Sequence, residues 1–181
     1  MKKNLTMPFV VVFTSLLFLS CIKDTDFDQA EDIALTPVVE LDLIHFNVVA
    51  GDFFDTISNT PRLTVRDTTE IRFLDDAQIQ ESLLRAEFYF KFTNSISRDF
   101  LVDFQFLNEG NDTTYTTQTA VNQGTIESPV ITEFVENVEG DEILQLTQAS
   151  KVVVSVTIPS SNETLEGALN LQSKTTYYLE F

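Results

Sequence analysis

The sequence predicts an all-β protein, a single antiparallel β-sandwich of Ig-like or related type, and three observations lead there. Leu84, Ala86, Phe88, Phe90 and Phe92 alternate with Arg85, Glu87, Tyr89, Lys91 and Thr93. That period of two puts one face of a strand into a core. Phe100, Val102, Phe104 and Phe106 repeat the pattern after the polar stretch Asn94 to Asp99, so the two runs read as a hairpin. The third observation is the run of further short alternating segments, each bounded by turn residues, which is the grammar of a sandwich. So regular an alternation marks the phenylalanines as core residues, not as a ligand-binding platform.

Composition bounds the rest. The chain has 181 residues, 28 Asp and Glu against 11 Lys and Arg, and a formal net charge of −17. A surface that negative repels nucleic acid and anionic lipid headgroups, and it favours solubility. The single cysteine makes no internal disulfide and no zinc-type cluster, so stability has to come from packing.

Taken in order, the N-terminus comes first. Met1, Lys2 and Lys3 form a basic start, Phe9 to Leu19 an apolar run broken only by Thr14 and Ser15, and Ser20 a small residue at a cut. These are the parts of a secretory signal, too short for the ~20 apolar residues that span a bilayer. The expected divisions are a signal peptide at 1–20, a tether beginning with Cys21 at 21–35, and a β-sandwich domain at 36–181. Loss of the leader removes Lys2 and Lys3 and no acidic residue, leaving the remainder more acidic still.

Beyond the tether, strands are expected at 39–48, 63–66, 70–74, 114–121, 129–135, 152–158 and 174–181, besides the two phenylalanine runs. In the first of these, apolar parity changes between Leu43 and Ile44: Val39, Leu41 and Leu43 are followed by Ile44, Phe46 and Val48, the mark of a β-bulge. Asp75 to Leu83 and Asp141 to Gln148 lack β-branched alternation and read as single helical turns. Gly110-Asn111-Asp112, Gln123-Gly124 and Pro159 to Asn162 supply turns. Tyr177, Leu179 and Phe181 alternate at the end, so the C-terminus closes a sheet.

Residues that could carry chemistry are few. His45 is the only histidine and lies in mid-strand, with no serine or cysteine motif to make it a base. No GxGxxG, P-loop or HExxH occurs. Carboxylate pairs such as Asp75 with Asp76, or Asp52 with Asp55, suit a glycosidase in type. Among 28 acidic residues such pairs arise by chance, and the chain lacks tryptophan, the usual sugar-stacking platform. Asp24, Asp26 and Asp28 have the one-three-five spacing of a calcium loop, but Gln29 stands where the turn needs glycine and Leu35 where a bidentate glutamate belongs. No catalytic residue, metal site or cofactor is expected.

Leu17-Phe18-Leu19-Ser20-Cys21 resembles the lipobox of bacterial lipoproteins. The resemblance implies that the Cys21 thiol takes up diacylglycerol, becomes the new N-terminus and is acylated again. Each buried methylene contributes about 0.8 kcal/mol, so two or three chains make a lasting anchor where one is marginal. The acidic segment Ile22 to Asp32 looks like the patch that follows the lipidated cysteine in Bacteroidota lipoproteins displayed on the outer face of the outer membrane. Asp24, Asp26 and Asp28 are then its export signal. Asp55-Thr56-Ile57, Asp67-Thr68-Thr69 and Asp112-Thr113-Thr114 look like O-glycan acceptor sites of the same group, at Thr56, Thr68 and Thr113. Asn111-Asp112-Thr113 and Asn162-Glu163-Thr164 match the N-glycosylation pattern, which a bacterial host does not ordinarily use.

The functional expectation is a surface-exposed, outer-membrane-anchored lipoprotein with a non-enzymatic structural or protein-interaction role. Its partners are the membrane, through lipid on Cys21, and a protein of the envelope or exterior, with no nucleic acid. Two alternatives are a glycan-binding or nutrient-capture module and a carboxylate-dependent hydrolase.

Overall fold

The computed structural model describes residues 34–181. The leader, Cys21 and the acidic residues Asp24, Asp26 and Asp28 lie outside the described residues. Among the described residues ten strands follow in chain order: β1 Val38–Val49, β2 Phe54–Asp55, β3 Thr60–Pro61, β4 Thr64–Glu70, β5 Leu83–Asn94, β6 Phe100–Leu107, β7 Thr113–Val121, β8 Val130–Glu139, β9 Lys151–Thr157 and β10 Ala168–Leu179. Short helices at Ala77–Ser82 and Asp141–Leu146 occupy the segments expected to form helical turns. The Asp76 carboxylate caps the first, accepting from the amides of Gln78 and Ile79 at 2.8 and 3.2 Å.

Two four-stranded antiparallel sheets make the sandwich, in the orders β1-β10-β5-β8 and β4-β9-β6-β7, with β2 and β3 as a separate small ribbon. Among the eight main strands only β6 and β7 are both consecutive and paired; every other connection crosses between the sheets. This order is a jelly roll, one of the related sandwiches, and not the immunoglobulin arrangement.

The topology corrects one expectation. β5 and β6 are not a hairpin: β5 pairs with β10 and β8 in one sheet, β6 with β7 and β9 in the other. Their phenylalanines therefore meet face to face across the core, Phe90 on Phe104 with ring centroids 4.1 Å apart and Phe88 on Phe106 at 5.0 Å. Period-two alternation reports which side of a strand is buried, and it is silent on whether the next strand lies beside it or opposite it. The segment after β5 makes the crossing: Ile96 is fully buried, and the Asn94 amide side chain donates to the carbonyls of Arg98 and Asn122 and accepts from the Ile96 amide, all within 2.9 Å.

Other boundaries moved for local reasons. The segments expected at 63–66 and 70–74 are one strand, β4, followed by a 3-10 turn at Arg72–Asp75 that buries Leu74. β10 begins at Ala168 and runs in the middle of its sheet, because Leu169, Leu171 and Ser173 already keep the inward phase of Thr175, Tyr177 and Leu179. The bulge in β1 is where the parity change puts it, with the register against β10 slipping between Asp42 and His45. Leu43 and Ile44 thus both face Ser173, whose hydroxyl accepts from the Ile44 amide at 3.0 Å and donates to its carbonyl at 2.8 Å.

Two glycines fix one end of the sandwich. A Cβ on Gly124 would lie 1.9 Å from the carbonyl oxygen of Asn94, and Gly167, at φ +104°, would meet the Ser95 carbonyl at 2.4 Å. On the flank where β7 and β8 face each other, the Glu136 carboxylate accepts from Tyr115 Oη at 2.6 Å and Thr117 Oγ1 at 3.0 Å, joining the two sheets. Burial, with the Glu136 carboxylate second, pushes the Tyr115 hydroxyl far above the ordinary tyrosine range.

Phe90 is fully buried and touches rings from β5, β6 and β8. Phe90→Ala is expected to lower unfolding free energy by about 3–5 kcal/mol, measured by urea denaturation. A loss below about 1 kcal/mol would contradict the packing described.

Burial pushes the Tyr177 hydroxyl above the ordinary tyrosine value, up to about 12. A raised folded value means that the stability is intact below the unfolded value and is lost as pH rises through the folded one. Urea titrations between pH values of about 9 and 12 are expected to show stability falling, with Tyr177 responsible for about 2–3 kcal/mol across that window. Tyr177→Phe is expected to flatten the slope, and an unchanged slope would contradict this assignment.

Candidate functional site

The bulge reorients β1. Asp42 points outward before it and His45 after it, so both side chains arrive on the outer face of the first sheet. Register then sets two rows across that face: His45, Gln172, Lys91 and Glu133, and beside it Asp42, Lys174, Tyr89 and Val135. Asp42, His45, Tyr89, Lys91, Gln172 and Lys174 line a cleft of about 190 Å³, with Ser173 beneath.

Two of these groups are held in place. Lys174 Nζ donates to Glu40 Oε2 at 2.6 Å and lies 6.0 Å from the centre of the Tyr89 ring. The bond to Glu40 raises the lysine's pKa. Tyr89 Oη donates to Glu133 Oε1 at 2.7 Å, and that bond raises the phenol. Four residues along the same two strands, the Arg85 guanidinium covers the Tyr178 ring at 3.9 Å.

The carboxylates singled out by sequence do other work. Asp52 accepts from the Val49 amide at 2.9 Å, and Asp55 from the amides of Ile57 and Ser58 at 2.9 and 3.3 Å. The hydrogen bond from the Ser58 side chain, ahead of those two amides, lowers the Asp55 carboxyl below its ordinary value. Asp76 is a helix cap and Asp75 ends the 3-10 turn before it. Asp52, Asp55 and Asp76 each accept from local backbone amides, while Asp75 is exposed and makes no such bond among the described residues. Among the described residues no group of three or more His, Cys, Asp or Glu could hold a metal ion. No helix among them is long and apolar enough to cross a membrane.

The three threonines marked as acceptors are all exposed. Thr56 sits in the four-residue turn of the β2–β3 ribbon next to Ile57, which is 97% exposed. Thr68 lies on the edge strand β4, and Thr113 opens β7. A second cleft, of about 290 Å³, lies at the end fixed by Gly124 and Gly167, lined by Ser95, Ser97, Thr125, Glu127, Thr164 and Glu166 among others. Sequence reasoning did not single out Asn94, Glu136 or Ser173. The available sign was a polar residue in the inward phase of an otherwise apolar alternation.

No family model matches this chain, and no curated protein matches it. Solved structures do show similarity. The structure of the infectious bursal disease virus Gx strain is 13% identical with a TM-score of 0.45, over 81% of this chain and 32% of that one. A Parabacteroides distasonis protein, inferred to be secreted, is 12% identical with a TM-score of 0.48, over 63% of this chain and 37% of that one. Isomalto-dextranase of Arthrobacter globiformis T6 is 9% identical with a TM-score of 0.32, over 62% and 16%. The chain thus spans about a third of the length of the first two structures and less of the third.

Proposed function

We propose that this chain is a lipoprotein anchored in the bacterial outer membrane through Cys21, displayed outward, and acting by non-enzymatic contact with a protein of the envelope or exterior. The observation that carries this reading is the Leu17-to-Cys21 motif placed directly after an apolar leader and directly before Asp24, Asp26 and Asp28. A thiol at that seam is the nucleophile for the lipid, and two or three acyl chains hold where one does not. In this reading 1–20 is removed, 21–35 spaces the domain from the membrane, and the acidic residues direct export while repelling the anionic surface.

A contact role is supported by what the jelly roll presents. Ile131 and Val135 on the edge strand β8 are 58% and 47% exposed, and Ile57 stands at the tip of a turn stiffened by Asp55. Apolar side chains on rigid edges and turns suit protein contact. Thr56, Thr68 and Thr113 are the proposed O-glycan acceptors, on the ribbon turn, on β4 and at the start of β7.

The anchor and the export signal separate by mutation. Cys21→Ser is expected to abolish metabolic labelling with a fatty-acid probe and to leave precursor or released protein. Replacing Asp24, Asp26 and Asp28 with alanine is expected to leave labelling intact while protecting the protein from protease added to whole cells. Labelling that survives Cys21→Ser, or protease access unchanged by the triple replacement, would overturn the corresponding half of the proposal.

A further inference from the structure

We infer that the cleft on the outer face of the first sheet binds a single neutral pyranose ring of a glycan. The inference concerns the domain alone and holds whether or not Cys21 carries lipid, so failure of one reading leaves the other standing. The bulge is the device that builds the site: in a regular strand Asp42 and His45, three positions apart, would face opposite sides of the sheet. The Ser173 hydroxyl, bonded to both the amide and the carbonyl of Ile44, locks that geometry from below.

The chemistry of the lining selects the ligand. Lys174 is neutralised by Glu40 and Tyr89 is committed to Glu133. Asp42, His45, Lys91 and Gln172 have no side-chain hydrogen-bond partner among the described residues and converge on one cleft. Together they offer an acceptor, a cationic donor and two groups able to do both. Lys91 stands against Asp42 and lies opposite Glu133 in the strand register, so the lining carries no excess of positive charge to draw an anion. The surrounding net charge of −17 further discourages anions. A ring bearing several hydroxyls, each both donor and acceptor, satisfies all four groups at once, with Tyr89 as the apolar wall beneath its C–H face. The volume, about 190 Å³, is below the ~300 Å³ at which drug-sized pockets begin, so one ring fits and a longer glycan extends along the sheet.

The test is amide chemical-shift mapping on the full chain, titrated with the methyl glycosides of glucose, galactose and mannose and, separately, with glucuronate. Binding is expected in the millimolar range, as befits one ring on an open face. At least one glycoside should shift residues 42–46, 89–91 and 172–174. Lys91→Met and Gln172→Ala should each weaken that binding about tenfold without changing the unfolding midpoint. Either variant suffices if the other is unstable. The inference fails if no glycoside shifts these residues, if the shifts map elsewhere, or if both variants bind like the parent. It also fails if glucuronate binds more than about tenfold tighter than the glucoside, because recognition would then be of charge.

Discussion

The fold depends on two phenylalanine rows pressed together across the sandwich. Phe88 and Phe90 of β5 meet Phe106 and Phe104 of β6, and Phe134 and Tyr115 extend the ring contacts to the edge strands. Aromatic rings combine large apolar area with preferred offset and tilted geometries, so this contact fixes both the spacing and the alignment of the sheets. β9 completes the second layer with Val152, Val154 and Val156, whose stiff branched side chains fill the space around the rings.

Once the sheets face each other, the connections must cross between them, and crossing loops carry backbone groups into buried positions. Asn94 resolves this at one end. Its amide spends both donors and its acceptor on the loops at 95–98 and 122, so the polar backbone of two crossings is satisfied by one fully buried side chain. Gly124 and Gly167 permit the close approach that makes these bonds possible. At the flank, Glu136 does comparable work between β7 and β8, held by a phenol and a hydroxyl.

Much of this was legible in the sequence. The sandwich class follows from the alternation of Phe88 to Phe92 and Phe100 to Phe106, and the bulge from the parity change at Leu43 and Ile44. The hairpin reading failed because alternation encodes burial and not pairing partner. The start of β10 is hard to read because Asn170 and Gln172 stand on its outward face and Ser173 takes an inward position. For the cleft, His45 was visible as an isolated histidine in a strand. Its neighbours were not, because Lys91 and Gln172 reach it only through the register of β1, β10 and β5. The polar groups at inward positions needed the partner strand to explain them: Ser173 answers a bulge in β1, and Glu136 answers Tyr115 in the opposite sheet.

The same bulge bears on how copies of this domain tolerate crowding. β1 is a twelve-residue strand, an edge of its sheet among the described residues, with exposed apolar residues at Val38, Leu41 and Val49. An uninterrupted edge of that length is a template on which another chain could continue the sheet. The slip between Asp42 and His45 divides it into two short stretches whose free amides and carbonyls no longer fall on one regular ladder. An incoming strand could match one stretch but not both, so intermolecular sheet growth is discouraged by the backbone itself, independently of the electrostatic repulsion between acidic molecules.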